Sequence, residues 1–183
     1  MSEFGLDAWL VHRVNAQALS HAWFADAAVF AASALSNVLL VLLVLYGFSR
    51  PDRSVQWLIV AVVVAGAAWL AARGIQSLWF RPRPFQADVA QALMAHRGSS
   101  SFPSTHASVI FALGWLGLAM RVRWPFLTLW WVVSLCVVAG RVASGLHYPS
   151  DVIAGLIVGG LCALLGVAIA KRARLVIHPG HRA

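Results

Sequence analysis

Five long apolar runs leave this chain few folds to choose from. They cover roughly residues 25–48, 55–78, 104–120, 125–142 and 152–170. About 20 apolar residues carry a helix across the hydrocarbon of a bilayer. Lipid offers no partner to an unpaired backbone group, so helices are the economical solution. The expected fold class is all-α: a polytopic membrane helix bundle of about five transmembrane helices. The third run is short, so its start must lie close to the membrane surface. Composition agrees, with 61% hydrophobic and 11% charged residues and a mean hydropathy of +0.78, against about 25% charged in a soluble domain. With 183 residues, no repeat and no low-complexity linker, one domain over 1–183 is expected.

The flanks of these runs supply the rest of the architecture. Phe4, Leu6, Trp9, Leu10, Val14, Ala18 and Leu19 recur at near-helical spacing among Asp7, His12, Arg13, Asn15 and Gln17. This predicts an N-terminal interfacial amphipathic helix. With Glu3 and Asp7 but no basic n-region, it does not read as a cleavable signal peptide. Trp23, Trp57, Trp79 and Trp124 fall near span ends, where an aromatic belt places them. Trp130 and Trp131 lie inside a span and call for helix packing, as do Gly155, Gly159 and Gly160 on the last span. Cys136 and Cys162 lie inside apolar runs and read as buried, inert thiols.

The formal net charge is +8. The arginines sit at the ends of apolar runs, so membrane lipids with anionic headgroups are the expected partners, not nucleic acid. Alternate connections carry Arg50 and Arg53, Arg121 and Arg123, and the tail residues Lys171, Arg172, Arg174 and Arg182. The positive-inside rule places these, and the C-terminus, in the cytoplasm. The N-terminus and the loops 79–103 and 143–151 then share the opposite face.

Three polar interruptions fall on that face. The first contains Arg73, Gln76, Arg81-Pro-Arg83-Pro and Phe85; the second is Phe102-Pro-Ser104-Thr105-His106; the third runs from Gly140-Arg141 through His147 to Asp151. Proline suits a helical first turn. Ser104, Thr105 and His106 are therefore expected on the first turn of the third span, whose free N–H groups form an anion site. Arginine forks grip phosphate oxygens in pairs. Two histidines can divide phosphoryl transfer, one attacking and the other protonating the leaving oxygen. Asp151 stands four residues after His147 and can reach back over one turn. Ser150 could cap the last span and help to seat it. The acidic residues Glu3, Asp7, Asp26, Asp88 and Asp151 are scattered, which argues against a two-metal site.

Together these pieces resemble the type 2 phosphatidic acid phosphatase family, whose signature is K-x6-R-P, then P-S-G-H, then S-R-x5-H-x3-D. Pro103-Ser104-Thr105-His106 matches the second part, and Gly140-Arg141 with His147 and Asp151 matches the third. Arg83-Pro84 matches the first, but its lysine position is Gln76. The resemblance covers residues 73–151 most closely. It implies that His147 is the nucleophile, Asp151 orients it and His106 is the general acid. It further implies that Arg83, Arg141 and Ser104 bind phosphate, helped by the backbone near Thr105. Arg81 or Arg73 would replace the missing lysine beside Gln76. Thr105 in place of glycine argues against a strained backbone, and Gly140 in place of serine reads as a minor change.

The short chain and the Arg-Pro-Arg-Pro-Phe run resemble, within that family, bacterial undecaprenyl-pyrophosphate phosphatases of the bacitracin-resistance type. That resemblance implies metal-independent hydrolysis of a polyprenyl diphosphate lipid, without a cofactor, at the external face of the bacterial inner membrane. The alternatives are phosphatidylglycerol phosphate, phosphatidic acid or lipid A phosphate as substrate, a lipid phosphotransferase, a vanadate-binding haloperoxidase relative, and a catalytically dead lipid-binding scaffold or transporter. Elsewhere, simpler roles are expected. His12, His21, His96, His178 and His181 read as interfacial residues, and Arg50, Arg53, Arg121 and Arg123 as anchors. Ser99 to Ser101 read as a flexible loop, and Asn15 and Asp26 as cap or interface residues.

Overall fold

The computed structural model describes residues 5–48 and 54–173. Glu3, Arg50, Arg53, Arg174, His178, His181 and Arg182 lie outside the described residues. Six helices follow in order: α1 (Leu6–Ser20), α2 (Ala22–Phe48), α3 (Ser54–Leu78), α4 (Thr105–Ala119), α5 (Trp124–Ala143) and α6 (Pro149–Arg172). No strand occurs among the described residues.

Helices α2, α3, α5 and α6 are long and apolar enough to cross a membrane. Their outward faces carry large apolar side chains such as Leu40, Val62 and Leu164, each more than 60% exposed. In water such a surface would be untenable; in lipid it is the expected one. The chain is therefore a polytopic membrane helix bundle. At 15 residues, α4 is shorter, about 22 Å long. Its side chains explain how that suffices. Ala107, Ile110, Phe111, Ala112, Gly114 and Leu116 are buried among α3, α5 and α6. It is the central helix, and protein rather than lipid surrounds most of it.

Close helix contacts set the position of each functional segment. α4 packs on α6 and α2 on α5 most extensively. A side chain at Gly155 would come within 2.6 Å of the Ala107 Cβ, and one at Gly159 within 2.5 Å of the Ser108 carbonyl oxygen. The two backbones thus touch, as the small-residue face predicted. Gly140 does the same for α5 on α2: its missing Cβ would lie 2.7 Å from that of Ala31. The change from serine at this position is therefore not minor, since a larger residue would push Arg141 away from α2. Trp130 donates its indole N–H to the Ile110 carbonyl at 3.0 Å, and Trp131 stacks on Phe111. Both tie α5 to α4, in line with their interior positions. Cys136, by contrast, is exposed on α5 rather than buried, and Cys162 is half-buried. An unbranched apolar environment of lipid suits a thiol as well as a core does.

The start of α2, the end of α3, the start of α4, the end of α5 and the start of α6 gather at one end of the bundle. The segment 79–103 closes this end without regular structure. Its backbone is nonetheless paired: Ser101 N–H donates to Arg81, Leu93 to Ser144 and Val89 to Pro84. Protein rather than solvent thus satisfies these backbone groups of the closing segment.

α1 lies across the same end as a strap. His12 reaches the Val89 carbonyl at 3.1 Å. Asn15 donates to the carbonyls of Gln91 and Ala143 and accepts from the Gln91 N–H. At 2% exposure Asn15 is a buried fastener rather than a cap or headgroup ligand.

Candidate active site

The N-termini of α4 and α6 lie side by side. Ser104 caps α4, accepting the Ala107 N–H at 3.5 Å, while its own N–H donates to the Asp151 carbonyl at 3.0 Å. Pro103 therefore precedes the cap instead of occupying the first turn, which begins at Thr105. At α6 the cap is Tyr148, with Pro149 in the first turn. Asp151 reaches back and accepts the Tyr148 N–H through Oδ2 at 2.8 Å. Ser150 is not the cap; it is the second residue of the helix.

His147 precedes α6 and is 2% exposed. Its Nδ1–H donates to the Ser101 carbonyl at 3.0 Å, and Asp151 Oδ2 lies 3.5 Å from the same nitrogen. Nε2 faces the Arg83 Nη1 donor at 3.1 Å. Acceptors at one nitrogen and a donor at the other select the neutral tautomer with its proton on Nδ1. Burial pushes the His147 pKa down to about 4; Asp151 opposes that shift, and Arg83 and Arg141 reinforce it. At neutral pH the ring thus presents an unprotonated Nε2.

Arg83 and Arg141 are both 4% exposed. Arg83 Nε donates to the Ser99 carbonyl, Nη1 to that of Leu146, and Nη2 to the Ser99 hydroxyl and the Ser100 carbonyl. Burial pulls its pKa to about 10, aided by Arg73 and resisted by Asp151, so it stays charged at neutral pH. Arg141, in the last turn of α5, donates through Nη1 to the Ala32 carbonyl at 3.2 Å. Its buried Nε has no partner.

On the other wall, Gln76 donates to the Pro103 carbonyl at 2.9 Å and to Thr105 Oγ1 at 3.1 Å, and accepts from Arg73 Nη1 at 3.1 Å. Thr105 has ordinary helical backbone, so the position needs no glycine. His106 is exposed on the same first turn.

Three sequence expectations change. Arg81 was expected on phosphate, but its Nη groups bond to Asp7, Ser150 and Asp151, each at 2.7 Å. Asp7 and Asp151 are consequently not scattered; one guanidinium joins them. Ser99 to Ser101 are not a loose loop, since their carbonyls hold Arg83 and His147 and Ser101 is fully buried. The Ser101 carbonyl is the site element that sequence reasoning missed. No pattern in S-S-S marks it, because a carbonyl has no residue identity. Among the described residues no three His, Cys, Asp or Glu side chains converge on a point that could hold a metal.

This arrangement can be compared with known proteins. Residues 54–175 match the PAP2 superfamily. The chain belongs to that superfamily. It is 29% identical over 164 residues to the bacitracin transport permease protein BcrC of Bacillus licheniformis, covering 89% of this chain and 79% of that one. It is 31% identical over 103 residues to the undecaprenyl-diphosphatase BcrC of Bacillus subtilis, covering 53% and 51%. The fold matches the crystal structure of a transmembrane PAP2-type phosphatidylglycerolphosphate phosphatase from Bacillus subtilis. There the TM-score is 0.66, with 21% identity over 93% of this chain and 89% of that one. Membership and spans together make the chain a multi-pass, PAP2-type membrane lipid phosphatase.

Proposed function

We propose that the chain hydrolyses undecaprenyl diphosphate to undecaprenyl phosphate and phosphate. The observation that carries this reading is an excess of buried positive charge around a neutral histidine. Arg83 and Arg141 are buried together, and Asp151, the one buried carboxylate among the described residues, is engaged by Arg81. Unbalanced buried charge is costly, and an anionic substrate relieves it. The free Nε of Arg141 and the α4 N-terminus supply unused donors. Arg73, held over Thr105 through Gln76, extends the positive wall. That extension suits a diphosphate better than a monophosphate.

In the first step the Nε2 lone pair of His147 attacks the terminal phosphorus. A P–N bond forms, the bond to the bridging oxygen breaks, and its electron pair leaves on undecaprenyl phosphate. His106, protonated at the outset, gives its proton to that oxygen and is left neutral. The Nδ1 proton stays with Ser101 and Asp151, which stabilise the imidazole as it turns positive. Water then attacks the phosphohistidine, giving a proton to His106; the P–N bond breaks and phosphate leaves. A phosphoryl group on Nε2 would bring its oxygens to Arg83 Nη1. No step calls for a metal or cofactor. The positive-inside pattern supports a site on the outer face of the bacterial inner membrane, with the C-terminus in the cytoplasm. Recycling of the carrier lipid for cell-wall synthesis follows from that placement.

A side-by-side assay of purified protein tests this reading. Undecaprenyl diphosphate, phosphatidylglycerol phosphate, phosphatidic acid and lipid A are offered at equal surface concentration in excess EDTA. The diphosphate should give the highest kcat/KM. Preference for a monophosphate, or loss of all activity with chelator, would contradict it.

A further inference from the structure

Arg81 occupies a place that the phosphatase chemistry leaves unexplained. Its guanidinium bridges two carboxylates, Asp151 Oδ1 and Asp7 Oδ2. Its Cζ also sits over the Tyr148 ring, 4.0 Å from the centroid. Asp7 belongs to α1, far away in sequence, and its other bonds go to α6. It accepts the Ser150 N–H at 3.0 Å and a hydrogen bond from the Ser150 hydroxyl. A carboxylate from the strap thus caps the helix whose next residue is Asp151. Burial raises the Asp7 pKa, but the bonds from Ser150 and Arg81 outweigh this and hold it below the ordinary carboxylate value. Asp7 is therefore an ionised carboxylate at neutral pH.

We infer that Asp7 and Arg81 are positioning residues that set the orientation and basicity of His147 through Asp151, making α1 part of the catalytic apparatus. The two act with opposite sign. Arg81 withdraws negative potential from Asp151 and so weakens its support for a positive imidazole. Asp7 neutralises Arg81 and so restores that support. The charges otherwise facing His147 are Arg83 from the 79–103 segment, Arg141 from α5, Asp151 from α6 and His106 from α4. Of these, residue 81 bonds only Asp151, and residue 7 reaches Asp151 through residue 81. The inference rests on His147 being the nucleophile of the proposed reaction, but its electrostatic part can be read without turnover.

The test uses the full chain in detergent with undecaprenyl diphosphate. Acid limbs of kcat/KM against pH are compared for the wild type, Arg81→Gln and Asp7→Asn. In parallel, 15N-labelled histidine is titrated by NMR. Arg81→Gln should raise the His147 pKa and Asp7→Asn should lower it, each by about 0.5 to 1 unit. Arg81→Lys retains the charge and is the variant least disruptive to folding; it should lower kcat while moving the pKa by less than Arg81→Gln. A purely structural role predicts lower activity with an unmoved pKa. Unmoved values, or shifts of the same sign in Arg81→Gln and Asp7→Asn, would overturn the inference. Opposite NMR shifts in a protein that turns over no diphosphate would sink the proposed reaction and leave the relay standing.

Discussion

The two histidines of the site stand under opposite constraints. Around His147 both ring nitrogens are engaged, the residue is buried, and two further residues, Arg81 and Tyr148, hold its carboxylate partner. His106 sits on an exposed turn, and among the described residues no hydrogen bond fixes its ring. A nucleophile gains most from being held in one geometry, because the entropy is then spent in folding rather than in the transition state. A general acid must follow the leaving oxygen, whose position varies with the lipid. The locked half lies against α6 and the strap; the open half lies at the head of α4.

If that contrast is real, breaking the locked half should cost most. His147→Ala should lower kcat by about 10⁴-fold or more, since the phosphoenzyme cannot form. Retention of near-normal turnover would assign the attack elsewhere. His106→Ala should cost about 10²–10⁴-fold on a lipid monophosphate, within the usual range for a general acid. On the diphosphate the loss should be smaller, because a departing phosphate is a far weaker base than an alkoxide. Equal losses on both substrates would remove His106 from leaving-group protonation. Arg141→Ala should cost about 10²–10³-fold in kcat, the scale of one oxyanion donor. An effect confined to KM would make it a ground-state anchor instead.

The smallest effects concern pH. In the proposed reaction neutral His147 is the attacking form, so kcat/KM should hold well below pH 6.5 and fall only near pH 4. The linked effect on folding has a definite sign. Because the folded His147 pKa is depressed, the unfolded chain binds more protons between about pH 6.5 and 4, and stability falls as the pH drops through that window. An acid limb at pH 6.5 would mean that the ring is not buried as described.

The helices were legible because each apolar run is bounded by charge or proline. The expected span 152–170 lies within α6, and 104–120 bounds α4. Ser104, His106, Arg141, His147 and Asp151 could be grouped because their order matches a family signature; only His147 and Asp151, four residues apart and 3.5 Å between Nδ1 and Oδ2, are close enough in sequence for spacing itself to imply contact. What could not be read was pairing across long separations. Asp7 meets Ser150 across 143 residues and Arg81 across 74. Nothing local marks Arg81 as bridging carboxylates while Arg83, two residues on, lies against His147. Asn15 was misread for the same reason, since an asparagine on an amphipathic helix gives no sign of which carbonyls it will find. The role of Ser101 lies in its backbone, which sequence spacing does not encode.

The central claim is that Nε2 of His147 becomes phosphorylated. Rapid quench of the purified protein with undecaprenyl diphosphate labelled at the terminal phosphorus tests it most directly. The account predicts a burst of base-stable, acid-labile label on the peptide containing His147, absent in His147→Ala. A burst on the peptide containing His106, or turnover with no labelled protein at any time, would contradict it.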